Sequence, residues 1–159
     1  MVSIKAEPLT IPTFANYGSI ISPDESISNL DDSMKTANQG TAIKLLGVSE
    51  IEKKYPFTDT PNLKRSFCED QTKGSTLIEH SIKVLEKHPS SSQTFLPMGR
   101  PSNELSYLIV VALEDSKSGK PDVSTLKAFT CKGNQAVTYG AGIWHAPMII
   151  LGQQEHLDF

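Results

Sequence analysis

"TLIEHSIKVLEKH", residues 76–88, alternates with a period of two. Ile78, His80, Ile82, Val84, Glu86 and His88 share one parity, and Glu79, Ser81, Lys83, Leu85 and Lys87 share the other. Successive side chains of a strand point to opposite faces. The alternation therefore predicts a strand with one apolar face ending in Glu86 and His88, and a charged, solvated reverse face. His80 lies deep in the apolar run and reads as a core histidine. A carboxylate and imidazoles on the inner side of a sheet must be neutralised, hydrogen-bonded or bound to a cation. Glu86 and His88 are thus the first candidate site residues.

Working outward, the same strand grammar continues. Strands are expected at 92–97, 106–113, 126–131, 134–139 and 143–151, separated by the turns "PMGRPSNE", "DSKSGKPD", "KGN" and "YGAG". Gly133, Gly140 and Gly142 read as turn positions that need a positive φ. The last strand puts Ile143, His145, Pro147 and Ile149 on one face, so His145 can join Glu86 and His88. Gln93 opens the 92–97 strand and shares a face with Phe95. Toward the N-terminus, Thr10 and Pro12 predict a short helical turn over 10–17, followed by Gly18 and a strand. Residues 22–40 are polar and acidic and read as a surface loop, with a turn at Asn38-Gln39-Gly40. "TAIKLL" at 41–46 reads as a strand, 49–75 as irregular structure, and "PDVSTLK" as one further helical turn. No helical pattern is long enough for βαβ units. Many short strands with Gly/Pro turns predict an all-β, antiparallel sandwich or barrel.

A chain of 159 residues is one domain's worth, 1–159. Its net charge of −3 is mild, and Lys64-Arg65 is a small basic cluster among scattered basic residues, so there is no nucleic-acid footprint. "YLIVVAL" and "MIIL" are far too short to span a bilayer. The segment "MVSIKAEPLT" has no apolar run of a secretory signal. Two cysteines, Cys68 and Cys131, are too few for a disulfide framework and lack metal or redox spacing. They read as packing residues of a protein from a reducing, cytoplasmic compartment.

The spacing of the polar groups resembles the cupin barrel, a double-stranded β-helix. Glu86 stands at the first His position of the first cupin motif, His88 at the second, Gln93 at the Glu position and Gly99 at the Gly. The second motif begins at Gly133 and closes on "GIWH", 142–145. Its internal Pro is absent, Tyr139 stands nearby, and the spacing is off by one. The resemblance implies a ligand set of Glu86, His88, Gln93 and His145. Such mixed N/O donors suit a divalent cation such as Ni²⁺, Mn²⁺ or Zn²⁺.

A closer resemblance covers almost the whole chain. "EPLT...F..YG.II" at 7–21, "NQGTA" at 38–42, "LEKHPSSSQTFLPMG" at 85–99, "YLIVVA" at 107–112 and "AFTCKGNQAVTYGAGIWHAPM" at 128–148 occur in the order found in ureidoglycolate lyases of fungal type, also known as ureidoglycolate hydrolases. The resemblance implies a cupin-like barrel, a homodimer, and cleavage of (S)-ureidoglycolate to glyoxylate and urea in allantoin and purine degradation. Two departures stand out. Bacterial members tend to carry a second His after "WH", where this chain has Ala146, so that imidazole is not required here. The chain also stops at "HLDF", where relatives continue into a further strand. An edge strand would then be missing, and an open edge seeks a partner.

The substrate that the resemblance implies is a hemiaminal, with a carboxylate, a hydroxyl and a urea nitrogen on one carbon. Its elimination needs a base for the hydroxyl proton, an acid or a polarised urea carbonyl for the leaving nitrogen, and a cation or donors for the carboxylate. His88 and His145 have the side chain suited to proton exchange near neutrality. Glu86 can serve as base, ligand or orienter. Gln93 can hydrogen-bond the urea carbonyl. Tyr139 shapes the pocket, and Trp144 faces away from His145 in a regular strand. Without a metal, Arg100 or Lys83 must hold the carboxylate, and Lys83 falls on the outer face by parity. A reading of a different class is a non-catalytic cupin module that binds a small polar acid or sugar. Hydrolysis in place of elimination would release ammonia and carbon dioxide instead of urea.

Overall fold

The computed structural model of the chain describes residues 2–28, 34–52, 79–152 and 156–159. Cys68, Lys64-Arg65 and Ile78 lie outside the described residues. The first helical turn, α1 (Ile11–Phe14), forms where Thr10 and Pro12 require it. The Thr10 hydroxyl accepts from the Thr13 amide at 3.4 Å and the Thr13 hydroxyl accepts from the Thr10 amide at 3.3 Å, a reciprocal cap. Both Glu25 carboxylate oxygens accept from the Ile11 amide, at 3.0 and 3.1 Å. The turn drives Phe14 into the interior, where it is fully enclosed.

Two sheets carry the rest. The first, sheet A, orders β1 (Glu7–Pro8), β7 (Lys127–Lys132), β6 (Leu105–Ala112) and β10 (Ile149–Ile150), with β9 (Trp144–His145) also paired to β6. The second, sheet B, orders β2 (Gly18–Ile21), β8 (Ala136–Tyr139) and β5 (Gln93–Phe95). Pairing is antiparallel throughout, apart from the short parallel pair β1–β7. A separate hairpin joins β3 (Met34–Ala37) and β4 (Ala42–Leu45). The fold is all-β and cupin-like. Among the described residues its hydrogen bonding runs as two facing sheets rather than one closed ladder.

The core lies between those sheets. Tyr107, Ile109, Phe129, Cys131 and Ile150 of sheet A meet Ile20, Val137 and Tyr139 of sheet B, with Phe14 and Leu9 filling one end. Phe14 packs edge-on to Phe129 at 5.7 Å, and Phe159 packs edge-on to Tyr107 at 5.1 Å. Burying each such side chain is worth roughly 1.5–3 kcal/mol. The Tyr107 hydroxyl donates to the Gln135 carbonyl at 2.6 Å, so its polar tip is satisfied inside the core. Cys131 is a buried packing residue, and burial pushes its thiol pKa up. A smaller cluster on the reverse of sheet A joins Val110, Ala128 and Ala146, with Leu85 packed against it.

Several sequence expectations are corrected. Residues 22–40 are not one loop: they contain α2 (Pro23–Ser28) and β3. Pro23 at the helix start and Asp24 and Glu25 in its first turn suit a helix N-terminus, a signal masked by the polar composition. The stretch from 79 to 88 is paired at Glu86, but among the described residues 79–85 pair with no strand. His80 is exposed rather than a core residue, and Ile82 and Val84 are exposed with it. Period two reports an extended backbone, and it does not report whether another sheet covers the apolar parity. Gly142 has the expected positive φ of 85°, whereas Gly133 and Gly140 do not. Gly133 answers to close approach instead: a Cβ there would lie 2.4 Å from the Pro101 carbonyl oxygen.

Candidate active site

His145 is set by three neighbours. On one side β9 pairs with β6, placing His145 opposite Val111. On the other, the amide of Glu86 donates to the His145 carbonyl and the amide of His145 donates to the Glu86 carbonyl, each at 2.8 Å. The turn at Gly142 sends its amide to the His88 carbonyl at 2.9 Å. These bonds put Glu86 directly across from His145, so their side chains leave the same face. His88, two residues on, follows on that face. One donor atom from each of Glu86, His88 and His145 lies within 4.8 Å of the others.

The reverse face confirms the parity of this segment. Leu85 packs beside Ala146, and the Lys87 ammonium lies 5.0 Å from the Trp144 ring centroid while pairing with Glu114. Trp144 therefore turns away from His145, as expected. Ala146 is buried in that reverse cluster, so the position after "WH" does not face the triad here.

The electrostatics differ within the triad. The His145 ring is buried and lies flat over Tyr139, with centroids 4.3 Å apart and planes 20° apart. Its Nδ1 is 2.9 Å from the Ile143 carbonyl oxygen. A carbonyl can only accept, so this bond places the ring proton on Nδ1. Nε2 is then a lone pair, buried and without a partner. Desolvation lowers the His145 pKa below the ordinary 6.5, and the neighbouring His88 acts in the same direction. The Ile143 hydrogen bond and Glu86 oppose it. The balance keeps the imidazole neutral near pH 7, with Nε2 free to take a proton or a cation. Glu86 Oε1 lies 3.9 Å from that nitrogen, and its side chain is 55% exposed. His88 is half-buried, with its ring 5.7 Å from that of His145.

The other sequence candidates fall into two groups. Gln93 pairs with Tyr139 across β5 and β8, and its Oε1 is buried without a donor. Tyr139 is enclosed: its hydroxyl reaches Met148 Sδ at 3.8 Å, and burial pushes its pKa up. It presents its ring to His145 rather than its hydroxyl. Arg100 has a fully buried side chain that contacts Glu104 Oε1 and the His156 carbonyl, each at 3.4 Å. Those contacts tie it to the C-terminal segment, away from the role of a free carboxylate anchor. Lys83 is exposed, as are Ile82 and Val84 of the opposite parity. The Ile143 carbonyl, which fixes the His145 tautomer, has no residue-type signature and escapes a sequence reading.

The all-β two-sheet fold thus brings one carboxylate and two imidazoles together at one strand pair, donor types whose chemistry suits proton transfer or cation binding. The profile of the ureidoglycolate lyase family matches residues 1–159. The chain is 59% identical to the ureidoglycolate lyase of Saccharomyces cerevisiae over 170 aligned positions, covering 100% of this chain and 84% of that protein. It is 38% identical to that of Schizosaccharomyces pombe, covering 97% and 81%, and 31% identical to that of Pseudomonas syringae, covering 98% and 80%. The chain belongs to the ureidoglycolate lyase family.

Proposed function

We propose that this chain, folded as a single domain, cleaves ureidoglycolate to glyoxylate and urea at Glu86, His88 and His145. The observation that carries the site assignment is the buried, unpartnered Nε2 of a neutral His145 facing a carboxylate and a second imidazole. The reaction itself rests on family membership and on the names of the relatives. His145 Nε2 takes the proton of the substrate hydroxyl. The O–H electron pair becomes the new carbonyl as the C–N bond breaks, and the departing nitrogen takes a proton delivered through His88, giving urea. Glu86 stabilises the imidazolium that forms. Acid–base help of this kind is worth about 10²–10⁴ in rate. Gln93 Oε1 offers an acceptor to the ureido N–H groups.

The donor set of two imidazoles and one carboxylate also fits a divalent cation. Ni²⁺, Mn²⁺ and Zn²⁺ all accept such ligands. When bound, the ion would supply positive charge for the substrate's carboxylate and hydroxyl. The His145 lone pair then serves as a ligand rather than as the base. Elemental analysis of the purified protein separates the two forms. The wider setting in this reading is a cytoplasmic homodimer in allantoin breakdown. Ile82 and Val84, exposed within a segment that pairs with no strand among the described residues, support it as apolar surface to cover.

The test is product analysis. Urea and glyoxylate in equal amounts from ureidoglycolate, lost in folded His145→Ala, support the lyase. Ammonia and carbon dioxide would indicate hydrolysis. Turnover at background in the intact protein would indicate a binding module.

A further inference from the structure

Residues 49–52, which follow β4, have no role in the chemistry so far, yet they are fastened to the back of the strands that carry it. Ser49 Oγ lies 2.7 Å from Thr138 Oγ1, and Thr138 Oγ1 lies 2.9 Å from Thr94 Oγ1. Ser19 Oγ adds a longer contact to Ser49 at 3.4 Å. Thr138 precedes Tyr139, the platform under His145, and Thr94 follows Gln93. By strand alternation, this row of hydroxyls occupies the reverse of the surface that bears Tyr139 and Gln93. Three residues further on, the chain reaches the loop between His88 and Gln93. The Glu52 amide donates to Ser92 Oγ at 2.9 Å, and the Ser92 amide donates back to the Glu52 carbonyl at 3.2 Å.

We propose that residues 49–52 form a strap whose clasp on Ser92 fixes the 88–93 loop, making Ser92 a positioning residue for His88 and Gln93. The inference rests on the reading of His88 and Gln93 as site residues. Beside this clasp, Ser91 lies in a β-bridge and the two ends of the loop are tied down. Its first end is held by the Gly142 amide on the His88 carbonyl, and its second by the β5–β8 pairing at Gln93. Pro89 and three consecutive serines lie between. Serine favours turns, and the Ser92 hydroxyl is the side-chain half of a clasp whose main-chain half is the Ser92 amide on the Glu52 carbonyl. A displacement of about 1 Å in a reacting group can cost about 100-fold in rate.

The experiment compares Ser92→Ala, Ser92→Thr and His88→Ala by steady-state kinetics and thermal melting. Ser92→Ala is expected to lower kcat by about tenfold or more, within the range that misplacement allows, with the melting temperature nearly unchanged. Ser92→Thr retains the hydroxyl and is expected to restore most of kcat. If Ser92→Ala only lowers the melting temperature and the folded enzyme keeps the wild-type kcat, the clasp is structural and the inference is wrong. Failure of Thr to rescue would also overturn it. If His88→Ala is fully active, the reading of the site fails first and the inference falls with it. An inactive His88→Ala beside a fully active Ser92→Ala rejects the strap alone.

Discussion

Phe14, Phe129 and Tyr107 are fully enclosed between the sheets, whereas Ile82 and Val84, just ahead of Glu86, are 37% and 57% exposed. The Glu86-His88-His145 cluster lies where these two regions meet. One wall is dry: His145 stacks on Tyr139, which pairs across the sheet with Gln93, in strands whose inner faces form the core. The other wall is wet: Glu86 and His88 come from an extended segment held to 142–145 by three backbone hydrogen bonds. The difference assigns the work. The dry wall can depress a histidine pKa because water is excluded there. The wet wall leaves the Glu86 carboxylate exposed and the His88 ring half-buried. Damage to the first should appear in stability and chemistry together, and damage to the second in chemistry alone.

The largest expected effect is in the dry wall. His145→Gln keeps bulk over Tyr139 but has no titrating nitrogen, and kcat should fall by about 10²–10⁴-fold in a urea-release assay. Retained turnover would remove the dry wall from the chemistry. Phe129→Ala, deeper in the same region, should cost about 3–5 kcal/mol of unfolding free energy by denaturant titration. A loss under about 1 kcal/mol would mean that the core is not close-packed around this ring. Glu86→Gln tests the wet wall. Turnover should fall by about tenfold while stability stays within about 0.5 kcal/mol, as for other exposed sites. A large loss of stability would show that Glu86 holds the fold rather than the reaction.

A smaller effect follows from linkage. The folded His145 pKa is depressed, so the unfolded chain binds more protons once the pH drops below the ordinary 6.5. Stability rises with pH wherever the unfolded state holds more protons. The contribution of His145 is therefore complete above the unfolded pKa and declines as the pH falls toward the depressed value. Unfolding midpoints measured from about pH 7.5 down to about 5.5 should decline less in His145→Gln than in the parent chain. Equal slopes would mean that His145 titrates normally.

The strands of the dry region were legible because they carry two signals at once. β6 combines a continuous apolar run with turn residues at both ends, and it lies at Leu105–Ala112 against an expected 106–113. β8 lies within its expected span, and Thr10 with Pro12 announced α1. The wet segment carried only one signal. Alternation over 76–88 placed Glu86 and His88 on one side and Leu85 and Lys87 on the other, as the structure has them. It said nothing about what would cover Ile82 and Val84, and nothing does among the described residues. Antiparallel pairing of Glu86 with His145 is long-range: parity and the family likeness suggested that the two could meet, and neither gave the register. Arg100 misled because a lone arginine after a Gly turn looks free, while its burial depends on Gly133 and the distant C-terminal segment. The neutral state of His145 depends on a carbonyl, and main-chain groups leave no mark in residue type.

The most direct test is NMR of the protein with ¹⁵N-labelled histidine, titrated through neutrality. His145 should be neutral at pH 7, with its proton on Nδ1 and a midpoint below the ordinary 6.5. A proton on Nε2, or a midpoint at or above that value, would contradict the site as described.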